Sequence, residues 1–199
     1  MEGNSILRDE YACTISEFRL FQLVIVDKSA ANARVAARQR GWGPKRVGMV
    51  NPLPFSKGEK YSFLPALNKE GLLCQDKIQG SFTTEMFFFL IRDILLLYCN
   101  PFPGRNSVIV MDNCQIHQHQ YIQEIIEEAG CKLVMLPPYS PNYNPIEIAF
   151  GLLKTWIARH HMEFAEVIIG DEKDNFFLYG MKAVQVKHAQ WFFTKCVYS

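Results

Sequence analysis

Two short apolar runs, "LVIVD" (Leu23–Asp27) and "VIVMD" (Val108–Asp112), each end on an aspartate. Four successive β-branched or long apolar residues make a strand buried on both faces, which belongs in the middle of an α/β sheet. A carboxylate at the end of such a strand sits at the sheet's carboxyl edge, where ligands of α/β proteins bind. One such residue is as well explained by a loop contact or a helix cap. Two strands ending alike point to a shared cleft.

The rest of the chain supplies elements for that sheet. "KYSFLPAL" and "LLCQDKIQGS" flank "NKEG" and predict a hairpin, with Pro65 directing the first strand to a sheet edge. "TTEMFFFLIRDILLLYCN" predicts a largely buried helix with Thr83 or Thr84 as its N-cap. Ile122, Ile125, Ile126 and Ala129 recur at helical spacing before Gly130, giving an amphipathic helix with a glycine stop. "CKLVML" predicts a further buried strand. "PPYSPNYNP" is a proline-stiffened loop, with Tyr139 and Tyr143 packing it. A helix is then expected from about Pro145 to His160, with Ile146, Phe150, Leu153, Trp156 and Ile157 on one face. "EVIIGDEKDN" looks like an acidic loop and "AVQVKHAQWFFTKCVYS" like a terminal helix. Strands first, then helix and strand in alternation, indicate an α/β domain around a mixed sheet. At 199 residues the chain suits one domain, read as a lead-in over 1–20 and a single domain over 21–199.

A third carboxylate, Glu147, lies in the first turn of the expected Pro145–His160 helix, with 34 residues between it and Asp112. Asn144 as N-cap, Pro145 at the first helical position and Glu147 at the third also make a capping box. Pro137, Pro138, Pro141 and Pro145, however, fix the path into the helix more tightly than a cap requires. Such stiffness suits a side chain delivered to a set position. Three carboxylates without a His/Cys cluster suit a hard cation, Mg²⁺ or Mn²⁺, and argue against zinc. Two such ions are a standard solution for phosphodiester chemistry. The six cysteines are scattered, with no CxxC pair, and read as reduced thiols.

The Asp–Asn–x–x–x–His run of "VIVMDNCQIHQ" and the Ser–Pro–x–x–Asn–Pro–Ile–Glu run of "LPPYSPNYNPIEIAFGLLK" together resemble the catalytic core of mariner-type transposases and their insertion-sequence relatives, the DDE-superfamily endonucleases. The resemblance covers nearly the whole chain, with "LVIVDKSA" similar to the first-aspartate strand and "RGWGPK" to the basic turn after it. It implies a ribonuclease-H-like α/β fold, a mixed sheet flanked by helices. It also implies a catalytic and metal-binding triad of Asp27, Asp112 and Glu147 holding two Mg²⁺ or Mn²⁺ ions. The implied chemistry is hydrolysis of DNA at element ends, then joining of the freed 3′-hydroxyl to target DNA. Asn113 and His117 belong to the motif and would lie near the metals, with His117 touching a substrate phosphate or capping the next helix.

Two departures stand beside the resemblance. The family usually carries an acid directly after the first aspartate, where this chain has Lys28; strand alternation aims it away from Asp27, though a lysine there could also pair with that carboxylate. About twenty residues precede the first strand, so the helix-turn-helix domain that reads transposon ends is expected to be absent. The competing expectation is therefore an inactive or domesticated relic that binds DNA or a protein partner. A ribonuclease acting on RNA would share the metal site.

A net charge of +1 leaves any nucleic-acid contact to a local patch. Residues 28–58 hold no acid but carry Lys28, Arg34, Arg38, Arg40, Lys45, Arg46 and Lys57. Arg38, Arg40, Lys45 and Arg46, beside Trp42, are candidate DNA-backbone contacts, together with Lys154 two helical turns after Glu147. The alternative is a solvated charged face. DNA is the expected partner and a second copy of the chain a candidate one. The longest apolar run, Met86–Tyr98, is interrupted by Arg92 and Asp93 and too short to span a bilayer. With no signal peptide evident, an intracellular site is expected, the nucleus in a eukaryote and otherwise the cytoplasm.

Overall fold

The computed structural model describes residues 5–32, 60–113, 120–160, 186–196 and 198. Arg38, Arg40, Lys45, Arg46, His117 and the acidic stretch expected to form a loop lie outside the described residues.

The two aspartate-terminated runs are strands at the centre of one mixed sheet. Strand β1 (Leu23–Val26) and strand β5 (Val108–Met111) are buried at every position and pair in parallel, from Leu23 opposite Val108 to Val26 opposite Met111. Strand β6 (Lys132–Met135) adds in parallel to the far side of β5. On the other side, β3 (Lys60–Asn68) and β4 (Gly71–Gln79) form the expected hairpin, and β3 runs antiparallel to β1. Asn68 shapes the turn, its Oδ1 accepting from the Glu70 N–H at 2.8 Å.

Strand β2 (Ser29–Asn32) also pairs with β3, with Ser29 opposite Phe63, in the register that sets Val26 opposite Ala66. Strands β1 and β2 are thus one strand position, interrupted at Asp27 and Lys28. Among the described residues, six strands fill five positions in the order β4, β3, β1 with β2, β5, β6. This corrects the edge placement of the Pro65 strand: β3 has neighbours on both sides. The proline is tolerated because the shared register puts it opposite the interruption at Asp27, where the ladder with β1 and β2 is already broken.

Side-chain alternation divides the core into two layers. Leu23, Ile25, Val108 and Val110 pack against Tyr11 and Ile15 of α1 (Ser5–Ser16), Ile146 and Phe150 of α4 (Pro145–His160), and Phe192 and Phe193 of α5 (Val186–Lys195). Val24, Val26, Ile109 and Met111 face Phe87, Leu90 and Ile91 of α2 (Thr84–Asp93) and Ile122 and Ile126 of α3 (Gln120–Glu128). Helices therefore cover both faces of the sheet.

Thr83 is the N-cap of α2, its hydroxyl accepting from the Met86 N–H at 3.3 Å. The expectation of a largely buried helix fails: Met86 and Phe89 are 46% and 52% exposed. Helix α2 is an outer-layer element that buries one stripe, and the Arg92 guanidinium lies 4.9 Å from the Phe89 ring centre. Strand β6 is likewise only half-buried, because it is an edge strand. Helix α3 stops as expected at Gly130, whose φ is +75°. The Cys131 N–H donates to the Ile126 carbonyl at 3.0 Å and the Gly130 N–H to Glu127 at 2.8 Å, a Schellman closure. Among the described residues no helix is long and apolar enough to cross a membrane.

Candidate active site

Asp27 follows the last residue of β1 and Asp112 the last residue of β5, and those last residues are paired. The two-residue period settles their direction. Residues 23, 25 and 27 share a face, as do 108, 110 and 112, and that face is the one covered by α4. Glu147 stands in the first turn of α4. All three carboxylates line one cleft of about 470 Å³, together with Asn113, Asn144 and the loop from Leu136 to Pro141. They differ in burial: Asp27 is 6% exposed, Asp112 half-buried and Glu147 exposed.

Both oxygens of Asp27 are held. Oδ1 accepts from the Lys28 backbone N–H at 2.6 Å, and Oδ2 accepts from Nδ2 of Asn144 at 2.7 Å. Burial pushes the carboxyl up to about 7, and the charges of Asp112 and Glu147 push the same way; the two hydrogen bonds oppose them. The side chain of Lys28 forms no ion pair with Asp27, and its contact with the site is through the main chain.

The loop that delivers Glu147 is tied down from both directions along the chain. Arg8 of α1 donates from Nε to Ser140 Oγ at 3.1 Å and from Nη2 to the Tyr139 carbonyl at 3.4 Å. Tyr198 donates to the Tyr143 carbonyl at 2.9 Å, and the Tyr11 and Tyr198 hydroxyls are 2.5 Å apart. Tyr143 packs the loop, its ring edge-on to Tyr11. Tyr139 does not: it is 92% exposed at the lip of the cleft, with a φ of +55°. The loop is held by polar bonds to its backbone, which leaves that ring outside.

The expected capping box is only half made. Oδ1 of Asn144 accepts from the Ile146 N–H at 3.2 Å, so Asn144 is the cap, but its own N–H goes to the Pro141 carbonyl at 3.0 Å. The cap therefore makes no demand on the Glu147 carboxylate, which lines the cleft instead. Asn113 is exposed at the cleft wall. Lys154 lies on α4, and its side chain is outside what the structure describes. From sequence alone Asn144 reads only as a cap, and Arg8 has no role. An asparagine in a place where serine, threonine or aspartate would cap as well was the available signal.

Among the described residues no three acidic, histidine or cysteine side chains stand close enough to form a ready metal cluster. The donors nevertheless suit a hard divalent cation. All are carboxylate oxygens, they converge on one cleft, and the charges of Asp112 and Glu147 disfavour a charged Asp27, a conflict a cation relieves. Glu147, long and exposed, is the member able to swing inward.

A strand-paired aspartate couple joined by a helix-borne glutamate, on a sheet with its hairpin on one side and parallel strands on the other, defines a class. Residues 22–168 match the family model of the DDE superfamily endonucleases, and the chain belongs to that family. Its fold is ribonuclease-H-like, a mixed sheet flanked by helices, shared with the Mos1 mariner transposase catalytic domain. The Mos1 strand transfer complex aligns with a TM-score of 0.62 at 12% identity, over 95% of this chain and 59% of that one. The Mos1 catalytic domain with raltegravir and Mg aligns at 0.55 and 13%, over 99% and 96%. A chain of the simian T-cell lymphotropic virus intasome, in complex with a PP2A regulatory subunit, aligns at 0.54 and 15%, over 82% and 48%. The chain thus spans about three-fifths of the transposase in the strand transfer complex. Among curated proteins none matches.

Proposed function

We propose that this chain is a transposase-derived catalytic domain that cleaves DNA strands and transfers them, using two Mg²⁺ or Mn²⁺ ions held by Asp27, Asp112 and Glu147. The observation that carries this reading is the parallel register of β1 and β5, which sets two aspartates side by side on the face where α4 presents Glu147. When bound, the ions would activate the attacking oxygen and neutralise the leaving one. The chain's own part is placement. Asp27 is fixed from both oxygens, Asp112 extends from the neighbouring strand, and Glu147 closes the set from a loop strapped at Ser140 and Tyr143.

Support for the substrate comes from the family, and the similar solved structures include the Mos1 strand transfer complex and a Mos1 transposase paired-end complex with a left transposon end. The basic stretch with Arg38, Arg40, Lys45 and Arg46, with Lys154, His117 and Asn113, would hold the DNA backbone. A second copy of the chain is the expected assembly partner.

Mn²⁺ calorimetry on wild type and Asp112→Ala tests the reading, followed by nicking of supercoiled DNA. Binding in the wild type, lost in the variant, with nicking that follows the same pattern, is the expected result. A folded wild type that binds no Mn²⁺, with or without DNA, would overturn the enzyme and leave an inherited fold that binds DNA or a protein partner.

A further inference from the structure

Asn144 sits at the junction of the first and third carboxylates. It is 3% exposed, and each end of its amide is used. Oδ1 takes the Ile146 N–H that opens α4, and Nδ2 donates to Asp27 Oδ2. Its main chain is engaged as well, with the N–H on Pro141 and the carbonyl accepting from the Glu147 N–H at 3.2 Å.

These contacts fix the residue type. The favoured helix caps are Asn, Asp, Ser and Thr. Serine and threonine cap as well but are one atom too short to span from the helix end to Asp27. Aspartate has the length but would set a carboxylate against a carboxylate. Only asparagine offers an acceptor for the helix and a donor for Asp27 on one planar head. The same pair of contacts settles which way the amide faces, since a flip would oppose Oδ1 to Asp27 and Nδ2 to an N–H.

We infer that Asn144 is a positioning residue that locks the orientation of Asp27 to the N-terminus of the helix bearing Glu147, so that the two metal-holding carboxylates move as one unit. This deepens the proposed function and rests on it. Without Nδ2, Asp27 keeps only the Lys28 N–H and turns about its χ2; the helix cap survives wherever an oxygen remains at position 144. Cap and clamp are thereby separable.

The test is Asn144→Ser, with Asn144→Thr as a second cap-preserving variant should the first not fold. Melting temperature and circular dichroism report the cap; Mn²⁺ affinity by calorimetry and the Mn²⁺ electron paramagnetic resonance spectrum report the clamp. The expected result is unchanged helix content, melting lowered only by the one lost hydrogen bond to Asp27, and Mn²⁺ affinity weakened on the order of 10- to 100-fold, as for other residues that orient metal ligands. Unaltered Mn²⁺ affinity and an unaltered Mn²⁺ spectrum in a folded variant would overturn the clamp while leaving the metal site intact. Absence of Mn²⁺ binding in the wild type would remove both the clamp and the function it rests on.

Discussion

At the scale of single residues, Asp27 dominates. In the unfolded chain it titrates near its ordinary value of 3.8, and in the folded protein near 7. Between those values the folded state keeps a proton that the unfolded state has released. The metal-free protein is therefore most stable below about pH 4 with respect to this group, and loses that contribution as pH rises through 7. The gap of about three units corresponds to roughly 4 kcal/mol at most. Chemical denaturation of the metal-free protein between pH 5 and 8 should show stability falling, and Asp27→Asn should flatten the slope. Identical slopes in the two proteins would contradict the buried, repelled carboxylate. Mn²⁺ should also raise the melting point more at pH 8 than at pH 5. The acids themselves were legible because strand period and strand ends are local properties of sequence. The partner of Asp27 was not, since Asn144 lies 117 positions away and its local role as a cap already explained it.

Among the elements, the central strands, the hairpin, α3 and α4 were readable from apolar period and punctuation. The failures share one cause, which is that neighbours decide burial. Pro65 argued for an edge, yet it lies inside the sheet because the adjacent strand is broken at the matching position. The apolar run at Met86 argued for a buried helix, yet within α2 only Phe87, Leu90 and Ile91 are buried. Helix α1 left no signal: "SILRDEYACTIS" buries only Tyr11 and Ile15, too thin a stripe to mark a helix. The stop of α3 makes a sharp prediction. A methyl at Gly130 would meet Pro101 Cβ at 2.9 Å, on a residue already at φ +75°. Gly130→Ala should cost about 2–3 kcal/mol from backbone strain and overpacking together, read by urea unfolding. A loss under half a kcal/mol would show that Pro101 and the turn give way freely.

Across the whole molecule, residues far apart in sequence converge on the proline loop. Tyr11 and Tyr198 hydrogen-bond each other while buried, and Tyr198 reaches on to Tyr143. Tyr198→Phe would leave the Tyr143 carbonyl without this donor and remove the Tyr11 partner, for a loss of about 1–3 kcal/mol in thermal unfolding. Hydrogen exchange at residues 139–144 should quicken in that variant, and unchanged exchange would detach the tyrosine pair from the loop. The arrangement has a mechanical side. Arg8 and Tyr11 sit one turn apart on α1; Arg8 bonds the loop directly, and Tyr11 meets it through the Tyr143 ring and through Tyr198, so a displacement of that helix by a single turn, about 5.4 Å, would break both contacts. The seat of α1 is thus also the anchor of the loop that leads into the helix bearing Glu147.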